Sequence, residues 1–172
     1  MSKNSGKIFE DDFRKSVPDY CFLHRLKDAA QSYNKSENTK FAWENPCDFF
    51  IFDSNTHILY ALELKSTKYK SMTIQADKTD KSKMIKLHQI ESLTNMSKYD
   101  GVMAGFVFNF RDEKNNMERT YFQNIIDFNN MYEKINKQSL NEMDLLLNGA
   151  VKINGTKKRV HYTWDLNEFL SA

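Results

Sequence analysis

The chain has 172 residues, a formal net charge of +2 and a hydrophobic content of 40%. This length fits one domain with a substantial core, but the 25 basic and 23 acidic side chains nearly cancel and do not by themselves indicate a nucleic-acid partner. No apolar run approaches the roughly 20 residues that span a bilayer, and the first residues lack the apolar segment of a signal peptide. We therefore expect a single cytoplasmic domain over residues 1–172 with no membrane partner.

The two cysteines, Cys21 and Cys47, exclude two further classes of protein. They are too few for a disulfide scaffold, and they lack the CxxC or Cys/His spacing of a zinc site. We expect both to be buried or partly buried thiols, and we expect no structural zinc.

The first half of the chain predicts a helix followed by three strands. Residues 6–16 have apolar side chains at near-helical spacing, and Pro18 would end this helix. Residues 20–26 favour a strand, and the polar stretch that follows predicts a loop. Two β-prone runs, residues 48–52 and 58–65, flank the turn-forming sequence Asp-Ser-Asn-Thr, which predicts a β-hairpin.

The second half alternates predicted helices and strands. The predicted elements are a helix over 83–99, strands over 102–110 and 120–122, helices over 124–135 and 139–147, and a C-terminal segment over 151–170 that contains a strand and a basic turn. Strands with helices on both sides, without a repeat or a linker, predict an α/β fold: a single-domain mixed sheet flanked by helices.

Three charged residues of the predicted hairpin point to a chemical function. Asp48 opens its first strand, and Glu63 and Lys65 stand two apart on its second strand. Because side chains alternate along a strand, Glu63 and Lys65 project from one face, and we expect Asp48 beside them. Leu62 and Leu64 then point into the core.

The two carboxylates of this group predict a metal site. Carboxylates held close together repel each other, and a divalent cation removes this cost. Mg²⁺ prefers oxygen ligands and keeps several waters, so we predict that Asp48, Glu63 and the carbonyl of Leu64 bind it, with Mn²⁺ as a substitute. In phosphodiester hydrolysis the cation lowers the pKa of a bound water, and Lys65 would orient that water or neutralise the developing charge.

The same spacing also has a purely structural interpretation. An acidic residue two before a lysine occurs again at Asp112 and Lys114, where we expect an exposed loop. The tripeptide alone therefore favours a solvated strand end over a catalytic site. Its place in a hairpin that follows Pro46 and Cys47 strengthens the catalytic interpretation.

Five short motifs, taken in order, resemble the RecU family of Holliday junction resolvases. Residues 5–10, Ser-Gly-Lys-Ile-Phe-Glu, resemble an Asn-x-Gly-(Lys/Met)-x-x-Glu opening, and residues 47–49, Cys-Asp-Phe, resemble Thr-Asp-(Tyr/Phe). Residues 62–67, Leu-Glu-Leu-Lys-Ser-Thr, resemble the Glu-Ala-Lys-Glu-Thr strand. Residues 87–91 and 100–102 resemble the His-Gln-Ile-Glu helix and the Asp-Gly-Ile strand. The ordered set is more specific than any one motif.

The resemblance implies the PD-(D/E)xK (restriction endonuclease-like) nuclease fold. It also implies a metal-dependent endonuclease that cuts branched DNA, a four-way junction, by symmetric nicks in recombination and repair. By resemblance, Asp48 and Glu63 are metal ligands, Lys65 is a base or charge stabiliser, and Glu10 is a further acidic group at the metal. Gln89 resembles a helix glutamine near the active site of several such nucleases. The residues alone are also consistent with a solvated Glu10 and with Gln89 in a polar patch.

The sequence departs from the RecU pattern in two places. The segment between Leu26 and Asp48 is too short and too polar for a full copy of the family's stalk-like insertion, and Cys47 interrupts the Pro-Asp pair. Two alternatives therefore stay open. One is a restriction-type or repair nuclease that cuts ordinary duplex DNA, and the other is a DNA-binding or protein-binding module that does not cleave.

Basic residues cluster in two places that would contact DNA phosphates. Residues 157–159, Lys-Lys-Arg, form a basic turn, and a lysine-rich stretch follows the predicted catalytic strand, diluted by Asp77 and Asp80. Each cluster is about as typical of a solvated loop as of a DNA-binding surface. The lysine-rich stretch comprises Lys65, Lys68, Lys70, Lys78, Lys81, Lys83 and Lys86.

The symmetry of a four-way junction predicts a homodimer. One chain carries one candidate site, whereas two nicks in one binding event need two sites. The apolar side chains of Ile125, Phe128 and Leu145 are candidates for the interface, although core packing is the better-supported role for them.

Overall fold

The computed structural model describes residues 5–26, 45–80 and 82–170. The first half contains α1 (Ser5–Lys15), β1 (Cys21–Arg25), β2 (Phe49–Asp53), β3 (Ile58–Thr67), β4 (Ser71–Thr73) and α2 (Leu87–Met96). The second half contains β5 (Val102–Asp112), β6 (Met117–Asn124), α3 (Ile125–Ile135), β7 (Ser139–Asn141), α4 (Glu142–Leu146), β8 (Val151–Ile153), β9 (Gly155–Lys158), β10 (His161–Trp164) and α5 (Leu166–Leu170). The loop predicted after residue 26 and Lys81 lie outside the described residues.

Six strands of the described ranges form one mixed sheet in the order β1-β2-β3-β5-β6-β8. β3 and β5 are parallel, whereas the other neighbouring pairs are antiparallel. α2 lies in the crossover between β3 and β5, as a parallel pair requires. Two short pairs, β4 with β7 and β9 with β10, stand outside this sheet.

The two faces of the sheet carry separate hydrophobic cores. Side chains alternate along β3, so Ala61 faces one side and Leu62 the other. Ala61 belongs to the core that includes residues of α2, α3 and α4, here called the α2 face, where Phe106 packs against Phe128. Leu62 belongs to the core with α1, α5 and Trp164, here called the α1 face. Helices flank the sheet on both sides, so the predicted mixed α/β architecture is confirmed, while the domain extent of 1–172 stays a prediction.

The β2–β3 hairpin forms where the sequence predicts it, with Phe49 paired to Leu62. The carboxylate of Asp53 accepts hydrogen bonds from the backbone N–H of Asn55 (2.8 Å) and from the hydroxyl of Thr56 (2.9 Å). The turn residues therefore stabilise the turn themselves, which explains why a local pattern was sufficient to predict it.

Two predicted helices are shorter than their sequence patterns indicate. α2 begins at Leu87 rather than at residue 83, because Ile85 forms a parallel bridge with Ile74 and stays outside the helix. The pattern over residues 139–147 divides into β7 and α4, because β7 pairs with β4. In both cases a partner distant in sequence overrides local helical periodicity.

The expectation for the two cysteines agrees with the structure. Cys47 is buried, Cys21 is partly buried, and both are free thiols. Among the described helices, none is long and apolar enough to cross a membrane.

Candidate active site

The candidate site lies where β3 continues past the start of β2. Asp48 directly precedes β2, and Glu63 and Lys65 lie on β3 beyond its pairing with that strand. Phe50 packs against the core of the α2 face, so strand alternation places Asp48 on that face. Glu63 and Lys65 flank Leu64, which belongs to the core of the α1 face, and therefore also project from the α2 face. The structure thus brings the three predicted residues to one face.

The carboxylate of Glu63 is held by two donors. Glu63 is 4% exposed, and Oε1 of its side chain lies 2.8 Å from Nζ of Lys65. The amide nitrogen of Gln89 donates a hydrogen bond to the same oxygen. The other end of that amide, Oε1, accepts a hydrogen bond from the backbone N–H of Lys86 (3.0 Å), which fixes its orientation. The first turn of α2 therefore places Gln89 against Glu63.

Asp48 continues the hydrogen bonding between β2 and β3 through its backbone N–H and through its side chain. Its backbone N–H donates to the carbonyl of Leu62 (3.1 Å), and its Oδ2 accepts from the backbone N–H of Leu64 (2.7 Å). The carbonyl of Asp48 accepts from the N–H of Leu26 (2.9 Å). Since the N–H and C=O of one strand residue point in the same direction, the carbonyl of Leu64 is directed to the same edge as the Asp48 carboxylate.

The electrostatics of the site disfavour a second negative charge. Burial, followed by the carboxylate of Glu63, raises the pKa of Asp48 to about 7, and Glu10 adds a smaller increase. The hydrogen bond from Leu64 and the ammonium of Lys65 lower this pKa but do not offset the increase. Two carboxylates are therefore held together at a cost that a bound cation would remove.

Glu10 is paired with a cation that the sequence did not indicate. It lies on α1, which packs on the α1 face through Phe13, and its carboxylate forms an ion pair with Arg25 of β1. Across residues 5–26, 45–80 and 82–170, no three His, Cys, Asp or Glu side chains are grouped so that they could hold a metal ion. The structure therefore does not bring Glu10 into one cluster with Asp48 and Glu63, and its role as a metal ligand stays a prediction.

The remaining donors of the site fit a hard divalent cation. The carboxylates of Asp48 and Glu63 and the carbonyl of Leu64 are oxygen ligands of the kind that Mg²⁺ prefers. A set of two carboxylates and one carbonyl leaves coordination positions for water and for a phosphate oxygen. The placement of Asp48 beside the buried carboxylate of Glu63 is the feature of this structure that favours a cation here, because burial and the second carboxylate both raise the pKa of Asp48.

The lysine-rich stretch after β3 is only partly free to contact DNA. Lys83 forms an ion pair with Asp80 at 3.2 Å, whereas Lys68 and Lys70 are exposed directly after the strand. Residues 157–159 are exposed at the end of β9 and in the turn that follows. The cationic surface next to the site therefore comes chiefly from the residues directly after β3.

The apolar residues considered for a dimer interface lie in the core. Ile125, Phe128 and Leu145 are each 0% exposed. The exposed large apolar side chains of α3 and α4 are those of Ile126, Met143 and Leu146. The core-packing role is confirmed for the three buried residues, so an interface on these helices would have to use other side chains.

One solved structure is similar to the chain over most of its length. The chain is similar to Hjc of Archaeoglobus fulgidus, a Holliday junction resolvase from an archaeal hyperthermophile, with 16% identity and a TM-score of 0.49. The similarity covers 85% of this chain and 93% of that chain. No protein-family model matches the chain.

A curated relative is known from Bacillus subtilis (strain 168). It is the SPbeta prophage-derived uncharacterized protein YotM, which is 29% identical over 177 residues. The alignment covers 97% of this chain and 85% of that protein. The name of this relative states no activity.

Proposed function

We propose that the chain is a Mg²⁺-dependent DNA endonuclease of the PD-(D/E)xK type. The observation that carries the proposal is the convergence of Asp48, Glu63 and Lys65 on one face where β3 passes the start of β2. Glu63 and Lys65 are 2.8 Å apart, which favours a cleaving enzyme over a module that kept the fold with these groups held apart. The ordered sequence motifs that resemble RecU resolvases support the same activity.

Asp48, Glu63 and the carbonyl of Leu64 would hold the cation, with Mn²⁺ as a substitute. When bound, the cation supplies a water of lowered pKa and neutralises charge on the phosphate. Glu10 forms its ion pair with Arg25 through Oε2, so the pair holds this carboxylate away from the group formed by Asp48 and Glu63. In the described geometry it therefore acts on the site through its charge, which contributes to the raised pKa of Asp48.

Lys65 and Gln89 prepare Glu63 for this role. Both donate to Oε1 of Glu63, so they fix the carboxylate while leaving its second oxygen without a contact from either of them. We expect Lys65 to turn from Glu63 towards the scissile phosphate when the carboxylate is ligated, and there to orient the attacking water or neutralise developing charge. Gln89 then remains as the group that keeps Glu63 in place.

The finer proposal is a Holliday junction resolvase that acts on four-way junctions as a homodimer. It rests on the RecU resemblance and on the need for two nicks on strands of like polarity. Each chain supplies one set of Asp48, Glu63 and Lys65, so two chains facing one junction supply both cuts. The alternative is a restriction-type or repair nuclease of the same fold that acts on ordinary duplex DNA.

A cleavage assay separates these possibilities. Purified protein is incubated with a synthetic four-way junction and with a duplex that contains the same arm sequences, each in Mg²⁺, in Mn²⁺ and in EDTA. We expect paired nicks in the junction with either metal and no cleavage in EDTA. Glu63→Gln and Lys65→Ala should cut at least about 100-fold more slowly and still bind the junction, because binding depends on the basic surface.

The outcomes are distinct. Equal cleavage of duplex and junction would replace the resolvase proposal with a duplex nuclease. Near-full activity of both variants would remove Glu63 and Lys65 from the mechanism. Light scattering at micromolar concentration tests the dimer, and a strictly monomeric protein that still makes paired nicks would contradict it.

A further inference from the structure

A second functional surface lies on the α2 face, directly beyond the candidate site along β3. Glu63, Lys65 and Thr67 share that face by strand alternation, and Thr67 lies about 7 Å past Lys65 at roughly 3.3 Å per residue. There a cleft of about 990 Å³ opens between the loop after β3, the β5–β6 turn and the start of α4. Its volume is at the upper end of the range for ligand sites, on the order of 300–1,000 Å³.

The acidic residues that line this cleft are already engaged. Glu142 binds Arg119 through two contacts of 2.7 and 3.0 Å, and Glu113 pairs with Arg111 at 3.1 Å. The side-chain amide of Asn115 donates to Asp112 at 2.7 Å. Glu142 and Glu113 are therefore paired with arginines, while Asp112 keeps its charge 4.0 Å from Arg119. The lining still carries five cationic against three acidic side chains.

Three lysines of the cleft have no acidic partner within the described ranges. They are exposed, and they come from the loop after β3 and the β5–β6 turn, which lie at the same end of the parallel β3–β5 pair. A rim of unpaired ammonium groups attracts phosphates, and each bound phosphate makes affinity depend on salt. The three residues are Lys68, Lys70 and Lys114.

An exposed aromatic ring stands among these lysines. Tyr69 is 68% exposed, so its ring contributes little to the core. Its backbone N–H donates to the hydroxyl of the buried Thr67 (3.1 Å), which ties the loop to β3. Nζ of Lys68 lies 5.8 Å from the centre of the ring. The arrangement is an exposed aromatic ring, bordered by lysines, on a loop that is hydrogen-bonded to β3.

We propose that this cleft binds an unpaired nucleotide of the DNA substrate, with the base stacked on Tyr69 and the neighbouring phosphates held by Lys68, Lys70 and Lys114. Aromatic rings combined with basic side chains are how proteins hold single-stranded nucleic acid, because each base offers a face for stacking. A base within a duplex is stacked on its neighbours and has no free face. The inference deepens the proposed nuclease function, on which it rests, since it names a substrate with an unpaired nucleotide near the scissile phosphate.

The test measures stacking without cleavage. A short single-stranded DNA carrying one 2-aminopurine is titrated with the full chain in EDTA, and quenching of its fluorescence reports stacking on an aromatic ring. We expect Tyr69→Ala to abolish the quenching and weaken binding about 5- to 100-fold, whereas Tyr69→Phe retains both. Tyr99→Ala is the matched control, because Tyr99 is 71% exposed and lies before the opposite end of β5.

Two results would overturn the proposal: no quenching by the unaltered chain, or equal quenching by Tyr69→Ala and Tyr99→Ala. The lysines are tested through salt dependence, where Lys70→Ala should reduce the slope of log affinity against log salt by about 0.7. An unchanged slope would remove Lys70 from the cleft's phosphate contacts. Cleavage is measured separately in Mg²⁺. A chain that quenches through Tyr69 but never cuts DNA would contradict the proposed nuclease and keep the nucleotide site, whereas cleavage without Tyr69-dependent quenching would do the reverse.

Discussion

Two buried acidic sites on opposite faces of the sheet differ in how their charge is compensated. On the α1 face, the carboxylate of Asp12 is 2.7 Å from Nδ1 of His161 and accepts from the backbone N–H of Tyr162 (3.0 Å). On the α2 face, the half-buried Asp48 lies against the buried carboxylate of Glu63, and desolvation followed by that carboxylate raises the pKa of Asp48 to about 7. The first arrangement joins α1 to β10, and the second concentrates charge. Burial alone therefore does not indicate a functional acid, whereas two carboxylates that share one lysine are a stronger indication.

The largest effect that separates the two acids is expected in catalysis. Asp48→Asn keeps an oxygen that can accept from the backbone N–H of Leu64 but removes the negative charge of a proposed metal ligand, so cleavage should fall by at least about 100-fold. Gel assays of junction cleavage in Mg²⁺ measure this loss. Asp12→Asn is the matched control, and it should cut at close to the unaltered rate at a temperature where it is folded. A similar loss in both variants would end the distinction.

A smaller effect is expected in stability, where substitution of Asp12 should cost more than substitution of Asp48. Asp12→Ala leaves the backbone N–H of Tyr162 and the ring of His161 without their acceptor, which should cost about 1–3 kcal/mol of unfolding free energy. Urea denaturation in EDTA gives this value for the variant and for the unaltered chain. Asp48→Ala is the comparison, since it removes the repulsion from Glu63 together with one hydrogen bond. A cost in Asp48→Ala as large as that in Asp12→Ala would show that Asp48 is as structural as Asp12.

A third effect is a dependence of metal-free stability on pH. The pKa of Asp48 is raised from 3.8 to about 7, so the folded state binds its proton more tightly than the unfolded state does. This contribution to stability is fully present below about pH 4 and is lost as the pH rises through about 7. Melting temperatures in EDTA should therefore decline between these values more in the unaltered chain than in Asp48→Asn. Mg²⁺ should restore part of the loss near pH 8, and identical pH profiles of the two proteins would contradict the role of Asp48.

The sequence predicted the parts of the molecule that depend on short distances along the chain. The hairpin follows from two β-prone runs and a turn whose Asp53 binds its own loop, and strand periodicity put Glu63 and Lys65 on one face. The sheet and its flanking helices follow from the order of elements. The metal-binding and catalytic roles stay predictions, because the positions of the side chains are compatible with this chemistry but do not demonstrate it.

The parts that were missed depend on contacts between distant segments. Arg25 binds Glu10 only because β1 and α1 meet on the α1 face. Ile85 is drawn out of a helical pattern by Ile74, and the cleft around Tyr69 needs three separate segments. No periodicity within one segment records these partners. The available sequence signal for the cleft was a tyrosine between two lysines. This pattern indicates a binding surface only when the tyrosine is known to be exposed.

The β2–β3 pair is local in sequence, whereas β3 and β5 are joined by the long crossover that contains α2. This difference has a consequence for the order of folding. Hairpins form within about 1–10 μs, whereas parallel pairing such as β3 with β5 waits for a long segment to close. We therefore expect the carboxylates of Asp48 and Glu63 to meet before α2 brings Gln89 to them, so that their repulsion would oppose an early step of folding. We expect Mg²⁺ to accelerate refolding as well as to slow unfolding, which stopped-flow experiments in Mg²⁺ and in EDTA can measure. Equal refolding rates would place the meeting of the two carboxylates after the rate-limiting barrier.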